Sequence, residues 1–203
     1  MAILRVEQKK AAHVGEYGVQ FLLDYPSAMV KDATNPDPKD DLREILDAAR
    51  PQVVYTHNFA DKHDTHAAVA SRVIQAIREL DAGARPERVL GCEVWRDLDW
   101  MIDEDKVALD VAPHESLAMA LLGVFDSQYC GGKRYDLASM GRRRAHATYH
   151  ATHDVDVTEG LTFAMDLTPL IEDESLSIRD HVQAHIDRFA AEVADRMSRV
   201  CGC

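Results

Sequence analysis

The chain has 203 residues, 46% of them hydrophobic, with 10 Gly and 7 Pro, enough to bury one sizeable core, and this length predicts a single domain over residues 1–203. Its 23 Lys and Arg stand against 35 Asp and Glu, a formal charge of -12, and a surface of that sign disfavours nucleic acid, whose phosphates need positive partners. No apolar run of about 18 residues is present to span a bilayer, and the N-terminus lacks the charged, apolar and small-residue segments of a signal peptide. The chain therefore reads as a soluble cytoplasmic protein with no membrane partner.

Residues 2–14 predict a helix, with Leu4, Ala11 and Ala12 among good formers such as Glu7, Lys9 and Lys10, ended by Gly15. Val19 to Tyr25 is a short apolar run stopped by Pro26 and reads as a strand; a loop through Asn35-Pro36-Asp37-Pro38 leads to a helix from Lys39 to Ala49. Pro51 introduces Val53-Val54-Tyr55-Thr56, a β-branched and aromatic run suited to a buried strand. A polar, His-rich loop follows. From Thr65 to Leu80 the stripe Val69, Ala70, Val73, Ile77, Leu80 recurs at helical spacing, and one turn back it reaches His66.

Val89 to Trp95 and Val107 to Val111 read as further strands, Leu117 to Phe125 as a helix. Gly131-Gly132 punctuates; a helix runs from Tyr135 past Arg142-Arg143-Arg144, Leu161 to Leu167 supplies a late strand, and Leu176 to Val200 closes as a helix striped by Val182, Ile186, Phe189, Val193 and Met197. Alternating strands and helices imply an α/β fold of three-layer, Rossmann-like form, a mostly parallel sheet flanked by helices. Cys92, Cys130, Cys201 and Cys203 show no Cys-x2-Cys spacing and read as reduced thiols.

Ligands of parallel α/β sheets bind beyond the carboxyl ends of the strands, which places a site in the loop from Thr56 to Thr65. His57, His63 and His66 fall there with Asp61 and Asp64. His63 and His66, three apart, share one side of a first helical turn, so one can bind metal while the other faces substrate. At the helix N-terminus the local field disfavours a protonated His66, and metals take the neutral ring. A plainer reading stays open, in which Asp64 or Thr65 is an N-cap and the histidines are solvated.

His146, His150 and His153 with Asp154 also have metal-type spacing, but after the arginine run they read as surface or substrate-side residues. Trp95, Asp97, Asp99 and Trp100 mix rings with carboxylates as sugar-binding loops do, beside the simpler reading that the tryptophans pack. Gly131-Gly132-Lys133-Arg134 lacks the spacing of a phosphate loop, and His114, His181 and His185 read as satisfied or exposed.

The stretch Arg50-Pro51-Gln52-Val53-Val54-Tyr55-Thr56-His57-Asn58 through Asp61-Lys62-His63-Asp64-Thr65-His66-Ala67-Ala68-Val69 resembles the second motif of the PIG-L/LmbE-like zinc-dependent N-acetylglucosaminyl deacetylases, a His-Pro-Asp-His entering a helix. Gly91 to Trp100, Ser127 to Leu137 and Ala164 to Leu167 extend the likeness. The resemblance implies a zinc hydrolase that removes an acetyl group from the amide nitrogen of an amino sugar or conjugate, with His66 as metal ligand and His63 as the group that polarises or protonates the amide. Asp64 and Thr65 stand where the family has proline and aspartate, so Asp64 or Asp61 is left to orient His63, and His63 with Asp64 form the expected catalytic pair.

The family takes two further zinc ligands and its base from an Ala-His-Pro-Asp-Asp motif, and no such sequence occurs in this chain. The expectation is a sheet lacking its first strand, an exposed edge that favours self-association, and an enzyme complete only with upstream sequence. Two other readings stand beside it: a non-catalytic sugar-binding relative, and a rebuilt metal site in which His57, Asp61 or His153 joins His66.

Overall fold

The computed structural model describes residues 2–151 and 153–202. Met1, Thr152 and Cys203, the last cysteine of the terminal Cys-Gly-Cys, lie outside the described residues. The elements in chain order are α1 (Ala2–Val14), α2 (Ser27–Lys31), α3 (Asp37–Ala49), β1 (Val53–His57), α4 (Asp64–Arg78), β2 (Arg88–Cys92), β3 (Lys106–Asp110), α5 (Glu115–Gly123), α6 (Asp126–Tyr129), α7 (Tyr135–Tyr149), β4 (Leu161–Asp166), α8 (Pro169–Glu172) and α9 (Ile178–Cys201). The chain forms two compact units, one from Met1–Leu22 and Ala108–Thr162, the other from Leu23–Val107 and Phe163–Cys203.

The second unit holds an apolar core. From α4 come Val73, Ile74, Ala76 and Ile77, from β2 Val89, and from β4 Phe163 and Met165, with Leu98, Met101, Leu167 and Leu170 beside them. The stripe read from the sequence is thus the buried face of α4. Arg78, at its end, caps carbonyls rather than solvent: its guanidinium donates to Leu170 O at 2.6 Å and Leu176 O at 2.7 Å, fastening α8 to α4. Arg85 adds a bond to Ile171 O at 2.9 Å.

In the first unit, the buried Glu7 of α1 accepts from the Ser127 backbone N–H at 2.9 Å and the Ser127 hydroxyl at 2.7 Å. These bonds, with that hydroxyl first, hold its carboxyl below the ordinary range and tie α1 to the start of α6.

The four strands are ordered β1-β2-β4-β3. β1 and β2 are parallel, Val53 opposite Arg88 through His57 opposite Cys92, with α4 as the crossover, so the α/β class with flanking helices is what the protein adopts. The mostly parallel sheet is corrected, because β4 runs antiparallel to β2, pairing Leu90 with Asp166 and Cys92 with Ala164. The reason lies where β4 begins. The Val111 N–H donates to the Gly160 carbonyl at 2.9 Å, so β4 starts where β3 stops, and the chain returns without the crossover that a parallel neighbour needs.

The strand expected over Val19 to Tyr25 is also corrected. The segment is irregular, with Val19, Phe21, Leu22 and Leu23 exposed, because an apolar run becomes a strand only when a ladder satisfies its backbone.

Candidate metal centre

The loop leaving β1 folds on its own polar side chains. Asn58 is fully buried; its backbone N–H donates to Cys92 O at 3.0 Å, its Oδ1 accepts the Ala60 N–H at 2.8 Å, and its carbonyl accepts the Asp61 N–H at 3.2 Å. A Cβ at Gly91, opposite Thr56 in the ladder, would lie 2.8 Å from Leu167 Cδ1, so a side chain there would press on the Leu167 side chain of the core. Asp61 Oδ1 then accepts the His63 N–H at 2.9 Å, an Asx turn that delivers the chain into α4.

This turn brings His57, Asp61 and His66 together, with one ligand-type atom of each within 4.8 Å of the others. The His57 and His66 rings stack at 4.0 Å with 4° between their planes. Asp61 Oδ2 lies 3.1 Å from His66 Nδ1, and the Asp61 side chain is fully buried, yet neither atom has a hydrogen-bond partner. Two buried acceptor-type atoms this close, not bonded to each other, suit a shared third party; ligands of a tetrahedral zinc ion at ~2.0–2.2 Å sit about 3.3 Å apart. Two imidazoles and one carboxylate are also a donor set that catalytic zinc sites use, with a coordination position left for water or substrate.

Electrostatics favours the metal-ready protonation states. Burial, then the neighbouring His66 ring, lowers the pKa of His57 against the opposing pull of Asp61. For Asp61, burial alone would raise the pKa; the His63 N–H, the His66 ring and the charges of His66 and His57 together outweigh it, and the carboxyl ends below its ordinary value. A neutral ring and an ionised carboxylate are the forms that coordinate. Cys92, opposite His57 in the ladder, is different: burial, aided by the Asp97 carboxylate, pushes its thiol upward, so it stays a neutral thiol.

His63 precedes α4 as its N-cap residue and is exposed, its ring 5.1 Å from that of His66 and 4.9 Å from that of Trp95. Asp64 opens α4, exposed, in the first turn. The carboxylate placed beside His66 is Asp61. His153 is exposed in the first unit, where His146 is buried near the end of α7 and His150 is its C-cap residue. Arg134 of the Gly131-Gly132-Lys133-Arg134 stretch pairs with Asp136 at 2.7 Å. His181 and His185 are satisfied, bonded to Asp166 O and to Asp105 Oδ2, each at 2.9 Å.

The segment after β2 borders the site and is strained. Asp97 and Leu98 have φ of 54° and 61°, consecutive left-handed residues that cost on the order of 1–3 kcal/mol each. Glu93, whose side chain is fully buried, accepts the Leu98 N–H at 3.3 Å and lies 3.4 Å from Arg96. Sequence reasoning missed Glu93 and Arg96; their signal was an acid and an arginine three apart directly after a buried strand. Trp95 reaches His63, while Trp100 packs against the core.

The match to known proteins lies over the same elements. Residues 1–77 match the PIG-L family, GlcNAc-PI de-N-acetylase. The resemblance read from the second motif is thereby borne out, and the PIG-L match contains β1, the site loop with His57, Asp61, His63, Asp64 and His66, and nearly all of α4. It stops short of the segments from Gly91 onward. No curated protein matches the chain. Among solved structures, the conserved protein TT1542 from Thermus thermophilus superposes with a TM-score of 0.65 at 17% identity, over 87% of this chain and 78% of that one, a likeness of fold. The PIG-L match, over 1–77, points to a deacetylase-type hydrolase. Among the described residues no helix is long and apolar enough to cross a membrane.

Proposed function

We propose that this chain is a metal-dependent hydrolase that removes an acetyl group from the amide nitrogen of an amino sugar or sugar conjugate, with its metal, zinc, held by His57, Asp61 and His66. The observation that carries this reading is the buried pair Asp61 Oδ2 and His66 Nδ1, 3.1 Å apart and unbonded. It favours the rebuilt site over a metal centre resting on His66 alone, and it favours chemistry over sugar binding without turnover.

A divalent ion held by these residues would supply polarisation of the amide carbonyl and activation of water. The chain's own groups do the rest. His63, exposed beside the cluster, takes the proton of the attacking water on an imidazole nitrogen as the C–O bond forms and returns it to the departing amine nitrogen as the C–N bond breaks, since the amine cannot leave as an anion. Asp64, exposed at the positive end of α4, follows His63 in the chain and is the carboxylate we assign to the same step. The Trp95 ring beside His63 offers an apolar face to a sugar. The charge of -12 suits a neutral or cationic soluble substrate in the cytoplasm, and the whole 203-residue chain is read as one such domain.

Acetate release from N-acetylglucosamine derivatives, with zinc supplied, tests the proposal. Turnover should vanish on chelation and in His66→Ala, and fall at least about 100-fold in His63→Ala. Turnover that survives His66→Ala would overturn the assignment.

A further inference from the structure

Ala60, the residue before the Asp61 ligand, is gripped from both sides. Its N–H donates to Asn58 Oδ1 at 2.8 Å, and its carbonyl accepts from Arg96 Nη1 at 2.6 Å. The first bond is local to the loop. The second crosses to the segment after β2, 36 residues away in sequence.

Arg96 is itself held. The same Nη1 lies 3.4 Å from Oε1 of Glu93, whose side chain is fully buried although that of Arg96 is 46% exposed. The other carboxylate oxygen of Glu93 accepts the Leu98 N–H at 3.3 Å, which pins the left-handed Asp97-Leu98 corner. One buried carboxylate thus fixes both the arginine and the turn that presents it. A buried charge is retained only where partners satisfy it, and here those partners lead to the peptide unit that joins Ala60 to Asp61.

We propose that Glu93 and Arg96 are positioning residues for the metal centre: Arg96 fixes the Ala60–Asp61 peptide plane and so the direction in which the Asp61 carboxylate presents Oδ2 to His66 and His57. The pair sits outside the ligand set and outside the region that matches the PIG-L family. The inference rests on reading His57, Asp61 and His66 as a metal site. Groups that orient ligands cost about 10–100-fold in metal affinity when removed.

The test is Co2+ titration of the full chain, followed by calorimetry and by the visible absorption of the bound ion, for the native protein, Arg96→Ala, Arg96→Lys, Glu93→Gln and the control Arg50→Ala. Arg50 forms an exposed pair with Asp47. Arg96→Ala and Glu93→Gln should weaken Co2+ binding about 10–100-fold and alter the absorption band, Arg96→Lys should recover part of the loss through its single donor, and Arg50→Ala should match the native protein. Arg96 is partly exposed, so its variants keep the test valid even if Glu93→Gln fails to fold. Native binding that persists unchanged, in affinity and spectrum, in Arg96→Ala overturns the positioning role alone. No Co2+ binding by the native chain overturns the metal site and the positioning role together.

Discussion

Two acid–histidine contacts in this protein look alike in distance and differ in what they are for. His185 Nδ1 sits 2.9 Å from Asp105 Oδ2, the same oxygen that Arg188 Nε reaches at 2.9 Å; the two contacting atoms are hydrogen-bonded to each other, and the group ties α9 to the segment before β3. Asp61 Oδ2 and His66 Nδ1 lie 3.1 Å apart and have no hydrogen-bond partner, the spacing on which the proposed ligand role rests. His181, one turn before His185, gives a titratable consequence for stability. Its Nε2–H donates to the Asp166 carbonyl at 2.9 Å, and burial, followed by the neighbouring His185, depresses its pKa below the ordinary histidine value, with Arg188 adding to the shift and Asp166 opposing it. A depressed folded-state pKa means that the folded chain binds this proton less readily than the unfolded one. The contribution is therefore full above about pH 6.5 and lost as pH falls through the folded value. Urea midpoints should fall between about pH 7 and pH 5, and less steeply in His181→Gln, which keeps a donor for Asp166 without the titration; equal slopes would refute this.

At the scale of elements, α4 contributes the most: its stripe fills the core, its N-terminus carries the site histidines, and its last residue, Arg78, holds α8. Arg78→Ala leaves the carbonyls of Leu170 and Leu176 without their donor. It should lower stability by about 2 kcal/mol, read from urea unfolding, and an effect under about 0.5 kcal/mol would mean that water replaces the guanidinium freely. A repeated apolar face made α4 and α9 legible to within a few residues, since it is a property of the sequence itself, and helix formers ended by Gly15 did the same for α1. Val19 to Tyr25 misled because a strand depends on a partner that composition does not specify. The direction of β4 was hidden for a related reason: alternation of elements fixes their order, whereas the bond between Val111 and Gly160, which turns β4 back, depends on how the long stretch between those two residues folds.

At the scale of the molecule, the site was legible as a location before it was legible as a constellation. The end of β1 and the histidines around it follow from composition and strand position. That Asp61, rather than Asp64, stands beside His66 depends on the turn built by Asn58 and Asp61 through their bonds to the Ala60 and His63 N–H groups. Glu93 and Arg96 act through a backbone carbonyl, a contact without a sequence pattern. The account's central claim, a metal centre built within the second unit from His57, Asp61 and His66, is tested most directly by calorimetric titration of Zn2+ into the purified 203-residue chain and its single-alanine variants. One ion should bind per chain, binding should be lost in His57→Ala, Asp61→Ala and His66→Ala, and it should persist in His63→Ala; a native chain that binds no zinc, or an Asp61→Ala variant that binds it as tightly as the native chain, would contradict the account.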